Sequence, residues 1–388
     1  MRIFINTGEV SGDLQGALLV EALLRQAAKR SIALEITALG GDRMAAAGAK
    51  LLGNSAAIGA IGIFESIPFI IPSWILQRRV KQYIRNNPPD VLVLIDYLGP
   101  NLGLGTYIRK NYPQIPIIYY IAPQTWVWSP GNKSIEQMIK LMDRLLAIFP
   151  AEATFFAERG ATVQWVGHPL LDRMATAPSR ETARQALGIP PEQMAIALFP
   201  ASRYQELKYL LPVICKAAKL LQEKLPQAHF YLPVSLLEYR SKIEEIVASY
   251  GVEITLIEGR SLEVMAAADL AIAKSGTVNL EISMLCIPQV VICLVNPATM
   301  WVARKLLKFS IPFMSPSNLV VMKPIVPELL QEEATPERIV KESLELLLNL
   351  DRRQQTIADC QEMRSLLGEV GVCDRAAEEI LNHVLVAQ

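Results

Sequence analysis

Cysteine and histidine are scarce in this chain of 388 residues: there are five of the first and three of the second. Cys215, Cys286, Cys293, Cys360 and Cys373 form no C-x-x-C pair, and their number is odd. Neither a metal site nor a disulfide framework has support, and reduced, mostly buried thiols fit better. An excess of one charge is also missing, with Lys+Arg 38 against Asp+Glu 38, so nucleic acid is not an expected partner. No run reaches the roughly 18–20 apolar residues that a membrane span needs. The nearest, Ile58 to Leu76, is interrupted by Glu65, Pro68 and Pro72. The first residues, Met1 to Glu9, are too short and too soon acidic for a signal peptide, which gives the expectation of a cytoplasmic protein. A G-x-G-x-x-G fingerprint is absent, which weakens dinucleotide binding. Internal repeats and low-complexity segments are absent as well.

What the chain does contain is a rhythm. Its length exceeds the ~250–300 residues at which single cores stop growing, so two domains are expected. Arg2–Asn6, Glu35–Leu39, Val91–Ile95, Ile117–Ile121 and Leu145–Phe149 are short apolar runs that read as strands buried on both faces. Helix-length stretches such as Ala17–Arg30 and Trp74–Arg85 separate them, the alternation of a parallel sheet. The rhythm restarts with Met194–Phe199, His229–Val234, Val252–Ile257, Leu270–Ala273 and Gln289–Leu294. Met174 to Arg180 is the best linker, and from Thr335-Pro336-Glu337 onward the pattern is helical. The expected organisation is α/β: two Rossmann-like domains, 1–175 and 176–335, facing a cleft, with a helical C-terminal segment, 336–388. Ligands in such sheets collect at the carboxyl ends of the strands.

Ser275-Gly276-Thr277-Val278-Asn279-Leu280-Glu281 joins an apolar strand to a helix. A small-residue turn there exposes backbone N–H groups at a helix start, where an anion is welcome. Glu281, one turn further, would repel a phosphate but can accept bonds from sugar hydroxyls, so the run reads as a nucleotide cradle. Arg203, after the first strand of the second set, could clamp a diphosphate, or pair with Glu206 on the surface. Asn318, in a turn with strand-like flanks, could cap or could reach a ligand. In the first half, Gly8-Glu9-Val10-Ser11-Gly12-Asp13 follows the first strand; Ser11 or Asp13 could cap the next helix, and Glu9 could face the cleft. Asp96 ends an apolar strand and is a candidate general base. Trp126 and Trp128, one residue apart, cannot both face the core of a strand. One of them could stack on a sugar or guard an acyl chain. His168 reads as a hinge or a satisfied loop residue. The apolar stretch from Ile58, followed by Arg78, Arg79 and Lys81, suits a bilayer interface or an ordinary core helix.

Taken in order, these motifs resemble those of the lipid-A-disaccharide synthase family, inverting glycosyltransferases of the GT-B architecture. The marks are Gly8 to Asp13, Gly41-Asp42-Arg43-Met44 with Gly48, Ile95-Asp96, Pro123 to Trp128, and Val166-Gly167-His168-Pro169. Ser202-Arg203 with Glu206, Ser275-Gly276-Thr277 with Leu280-Glu281, and Asn318-Leu319 complete them. The resemblance implies transfer of 2,3-diacylglucosamine from its UDP donor to 2,3-diacylglucosamine 1-phosphate, at the inner face of the cytoplasmic membrane. It implies Asp96 as base, with Arg203 also catalytic, and Arg203, Glu206, Ser275, Gly276, Thr277, Glu281 and Asn318 around UDP. The acceptor side would take Glu9, Ser11, Asp13, Trp126 and Trp128. No metal or cofactor is implied, and a homodimer is suggested. The second acid of the family's I-D-x-P-D-F-N pattern is absent from Ile95-Asp96-Tyr97-Leu98-Gly99-Pro100-Asn101. That departure keeps open a related lipid glycosyltransferase with another acceptor, and a non-catalytic UDP-sugar-binding protein.

Overall fold

The apolar runs pair as strands because a segment buried on both faces can satisfy its backbone only through neighbouring strands. The computed structural model describes residues 1–56, 67–129, 131–200, 204–234, 237–305 and 311–387. The chain divides into two units: residues 1–173, 297–310 and 367–388 form one, and 174–296 with 311–366 the other. Each is built around its own parallel sheet.

The first sheet contains β1 (Arg2–Asn6), β2 (Glu35–Gly40), β3 (Lys50–Asn54), β4 (Val91–Leu94), β5 (Ile117–Tyr120), β6 (Arg144–Ala147) and β7 (Val163–Trp165). Their order is β3-β2-β1-β4-β5-β6-β7. The second contains β8 (Met194–Phe199), β9 (Ala228–Val234), β10 (Ile254–Glu258), β11 (Leu270–Lys274), β12 (Gln289–Cys293) and β13 (Glu328–Leu330), in the order β10-β9-β8-β11-β12-β13. All the recorded strand pairs are parallel, with Ile3 beside Ile36 and Val91 in one sheet and Leu270 beside Ile196 in the other. In both sheets the order reverses once, between β1 and β4 and between β8 and β11. At such a reversal the flanking loops diverge and leave room for a ligand beyond the strand ends.

The runs read as strands are strands, shifted by at most two residues at their starts. Missing from that reading are β3, β7 and β13, which lie at sheet edges. Apart from buried Leu329 their residues are partly or fully exposed, so no continuous apolar run marks them. Core packing follows the same logic in each unit. Phe4, Leu92, Leu94, Tyr119 and Phe156 pack together in the first, and Ile196, Leu198, Phe230, Ile272 and Ile292 in the second.

The C-terminal region is helical, with helices Pro336–Leu348, Leu350–Leu366 and Val372–Ala387. Thr335 caps the first through its Oγ, which accepts from the Arg338 N–H at 3.2 Å, and Pro336 follows at the first helical position. The expected separate segment 336–388 is divided instead. Its first part buries Ile339, Val340 and Leu346 in the second unit's core. The last helix runs along helix Val10–Lys29 of the first unit. Arg25 bonds Asp374 at 2.6 Å and Arg30 bonds Asn382 at 2.6 Å. Asp172 accepts from the N–H groups of Gly371, Val372 and Cys373 at 2.6, 3.1 and 2.8 Å and so fixes the helix start. The division has a physical cause: each amphipathic helix needs an apolar partner, which the first two find on the second unit and the last on the first.

The cysteines are free. Cys215, Cys360 and Cys373 are buried, and Cys286 and Cys293 are partly so. Among the described residues no helix is long and apolar enough to cross a membrane.

Candidate active site

In the first unit, Glu9 and Asp96 stand at the ends of β1 and β4, on either side of the strand-order reversal. The turn carrying Asp96 is held by its backbone. Asp96 and Tyr97 both take left-handed conformations, with φ of 46° and 50°, as does Ile121 at the end of β5, with φ of 68°. Bulky residues rarely adopt this region, and such strain persists only where the surroundings over-determine it. The surroundings here are explicit. The Asp96 N–H donates to Ile121 O at 2.9 Å. Fully buried Asn101 donates through Nδ2 to Asp96 O at 2.5 Å and to Ile95 O at 3.2 Å, and its Oδ1 accepts from Asn6 Nδ2 at 2.5 Å. Asn101 thus ties β1 to the Asp96 turn. The Tyr97 ring lies over Gly8, where a Cβ would come within 2.1 Å of a ring carbon, so no larger residue fits at position 8 without moving the ring.

Asp96 keeps partial solvent access, yet its carboxyl is raised from 3.8 to about 7. Burial is the main cause and the Glu9 carboxylate the second, with a Tyr97 N–H bond opposing them. Glu152, at the start of helix Pro150–Ala157, is fully buried. It accepts from Ala122 N at 2.9 Å, Ile148 N at 2.7 Å and Phe149 N at 3.2 Å. Burial raises it from 4.5 to about 7, these N–H groups lower it, and the charge of Asp96 adds a small upward push. Tyr119, under the same turn, has its hydroxyl pushed well up by burial and by Asp96. A carboxylate with raised proton affinity at a strand's carboxyl end is equipped to take a proton near neutral pH.

The other expected acceptor-side residues differ in placement. Asp13 anchors the loop after β2: its carboxylate accepts from the N–H groups of Gly41, Arg43 and Met44 at 2.8, 3.2 and 3.1 Å. That role leaves it 5% exposed. Helix Val10–Lys29 starts at Glu9 and carries no side-chain cap, so neither Ser11 nor Asp13 caps it; Ser11 is half-buried. Trp126 closes a single 3₁₀ turn, Gln124–Trp126, so strand alternation does not govern it. Its ring leans on Phe149 with centroids 5.7 Å apart, and Phe149 in turn meets His168 at 5.1 Å. Trp128 is half-buried. His168 Nδ1 accepts from Leu170 N at 3.2 Å, and burial lowers the ring to about 3, so the imidazole is a neutral loop residue.

In the second unit, Ser275 follows β11 and helix Thr277–Met284 begins directly after Gly276. Gly276 has φ of 140°, a conformation that side-chain-bearing residues avoid. Several expected ligand groups are committed within the protein. Ser275 Oγ donates to Met314 O at 2.6 Å. Asn318 is 1% exposed, within helix Pro316–Val321 rather than between strands. Its Nδ2 donates to Val326 O at 2.9 Å and Glu328 Oε1 at 2.6 Å, and its Oδ1 accepts from Val326 N at 3.0 Å. These bonds hold the Ser275 turn and the loop that carries Asn318. Thr277 is half-buried, and Glu281 is 5% exposed. Glu206 pairs with Lys274. Arg203 lies outside the described residues, as does 58–66 of the apolar stretch. Among the described residues, no three His, Cys, Asp or Glu side chains converge as metal ligands would.

Residues 3–383 match the family described as lipid-A-disaccharide synthetase. The lipid-A-disaccharide synthase of Gloeothece citriformis (strain PCC 7424) is 61% identical over 99% of this chain and 100% of its own length. That of Synechocystis sp. (strain ATCC 27184 / PCC 6803 / Kazusa) is 56% identical over 98% of this chain and 97% of its own length. The chain belongs to this family. The resemblance read from the ordered motifs therefore holds, and with it the assignment to glycosyltransferases. The fold is shared more widely. A putative UDP-N-acetylglucosamine 2-epimerase from Listeria monocytogenes superimposes with a TM-score of 0.66 at 15% identity, over 98% of this chain and 96% of that one. At that identity the likeness shows the fold alone.

Three residues at or beside the candidate site carry little signal in the sequence. Asn101 stood in the quoted Asp96 motif, and its distance of five residues from an acid at a strand end was the available signal. Glu152 stood in Phe149-Pro150-Ala151-Glu152, where an acid soon after a proline marks a helix start. Lys274 had no signal beyond standing next to Ser275.

Proposed function

We propose that this chain transfers the 2,3-diacylglucosamine group of a UDP-linked donor to the 6-hydroxyl of 2,3-diacylglucosamine 1-phosphate. The acceptor oxygen forms a bond to the donor's anomeric carbon while the bond from that carbon to the diphosphate oxygen breaks. The electron pair leaves with UDP, the hydroxyl proton passes to Asp96, and a β-1,6 disaccharide results. The observation that carries the reading is Asp96: a carboxyl in a backbone-locked turn beside the strand-order reversal, raised to about 7. A base is most effective when its proton affinity lies near the working pH.

The second unit takes the donor in this reading. The start of helix Thr277–Met284 offers backbone N–H groups and the positive end of its dipole to the diphosphate. Glu281 serves the ribose, and Arg203 and Glu206 complete the polar surroundings. Ser275 and Asn318 act by holding the turn and its neighbouring loop, since their polar groups are bonded to the backbone and to Glu328. Neutralising the leaving diphosphate falls to Arg203 and the helix start. Glu9, Ser11, Trp126 and Trp128 stand on the acceptor side. Incubation of the full chain with both lipids in detergent tests the reading. Release of UDP with a disaccharide of the expected mass supports it, and absence of both sinks it.

The acceptor's acyl chains place the work at the inner face of the cytoplasmic membrane. Supporting this, helix Ile70–Asn86 leaves Ile70, Ile71, Trp74 and Ile75 exposed by 44 to 69% on one side. Arg78 stands over the Trp74 ring at 5.7 Å, next to Arg79. Ser73 of the same helix meets the Tyr97 hydroxyl at 3.0 Å, which ties this face to the Asp96 turn. Apolar side chains rimmed by cations suit an anionic bilayer surface. The double variant Ile71→Ser with Trp74→Ser is expected to lose about 10-fold or more in binding to anionic vesicles. Unchanged flotation would remove this helix from the contact.

A further inference from the structure

We infer that Lys274 is a donor-binding residue that supplies a fixed positive charge to the diphosphate, with Glu206 holding its ammonium in place. The inference rests on the donor site proposed above. Lys274 is the last residue of β11, beside the reversal between β8 and β11. Its Nζ donates to Glu206 Oε1 at 2.5 Å. Its side chain passes beside the turn before the next helix: a Cβ placed on Gly276 would lie 3.7 Å from Lys274 Cε. The ammonium, one bond beyond, stands beside the turn where the positive end of helix Thr277–Met284 emerges. Gly276 itself brings no side chain to that helix start.

Two further observations point the same way. The pair is withdrawn from solvent, each side chain being 15% exposed. Ion pairs this far from water gain little stability, because desolvation offsets their attraction, so folding alone gives weak reason for one here. The nearby carboxylate of Glu328 is turned elsewhere, accepting from Met314 N and Ser315 N at 2.9 Å each and from Asn318 Nδ2 at 2.6 Å. Glu206 is therefore the acid that orients Lys274. An ammonium has three N–H donors, so the bond to Glu206 does not exhaust it. The arrangement keeps the charge neutralised while the donor is absent and presents it to an arriving diphosphate.

Titration calorimetry of the full chain with UDP and, in parallel, with uridine tests this. Lys274→Met is expected to weaken UDP about 10- to 100-fold, the range for one charge-assisted bond, and to leave uridine within twofold. UDP affinity within twofold of the unaltered chain would overturn the inference. So would an equal loss for uridine, which would make the role one of shape. Should Lys274→Met not fold by its melting curve, the neutral pair Lys274→Met with Glu206→Gln is read by the same criteria. Failure of the unaltered chain to bind UDP is a different result: it removes the donor site itself, and this inference with it.

Discussion

Replacing Asp96 by Asn lowers turnover by about 10²–10⁴-fold, the span of a general base, and leaves UDP affinity unchanged. Asn is the informative substitution here. Position 96 has φ of 46°, and Asn is among the few residues that tolerate that region. The Asn101 bond to the Asp96 carbonyl survives, so the variant removes a proton acceptor and little else. In the unaltered enzyme, activity should fall as pH drops through about 7, because the protonated carboxyl cannot accept the acceptor's proton. Glu9→Gln removes a neighbouring negative charge, so the acidic limb of the pH–rate profile moves to lower pH. Steady-state rates from pH 5 to 9 with UDP calorimetry check all three statements. Equal losses in turnover and UDP affinity for Asp96→Asn would argue against a base.

Above about pH 7, where Glu152 is ionised, Glu152→Gln should destabilise the first unit by about 2–4 kcal/mol. The Glu152 carboxylate accepts from one N–H at Oε1 and from two at Oε2. An amide offers a single acceptor oxygen, so its NH₂ must face either Ala122 or the Ile148–Phe149 pair, donor against donor. The carboxyl ends of β5 and β6 then lose their common anchor, and urea unfolding should show a lower midpoint. A midpoint unchanged within error would mean that the loop rearranges without loss. The same burial gives a pH signature. Asp96 and Glu152 are raised from 3.8 and 4.5 to about 7, so between these values the folded chain holds protons that the unfolded chain has released. The stability they contribute is complete below about 4 and is lost as pH rises through about 7. Asp96→Asn and Glu152→Gln should each flatten that slope.

Strands in the interior of each sheet were legible because two buried faces require an unbroken apolar run, as in Val91-Leu92-Val93-Leu94. The edge strands β3, β7 and β13 carry no such run, and pairing with a neighbour alone makes them strands. Asp96 and Ser275-Gly276-Thr277 were legible as candidates because a strand that ends at an acid or a small-residue turn delivers those groups to the ligand-bearing end of its sheet. Their ordered spacing along the chain also carried the family. Local sequence could not tell which polar side chains remain available. Asp13 read locally as a helix cap and Asn318 as a cap or a ligand; Asp13 instead holds backbone N–H groups about 30 residues away, and Asn318 holds Val326 and Glu328 in the next loop.

The sequence by itself determined the parallel α/β plan, the restart near residue 174, the helical end and the family. These depend on periodicity and on motifs whose residues are near neighbours. Tertiary structure alone decided how the C-terminal helices are shared between the units, because amphipathic faces name the need for a partner and not the partner. It also decided the proton affinity of Asp96 and the pairing of Lys274 with Glu206, 68 residues away. Burial and charge proximity are properties of folded neighbours, and no spacing rule along the chain encodes them.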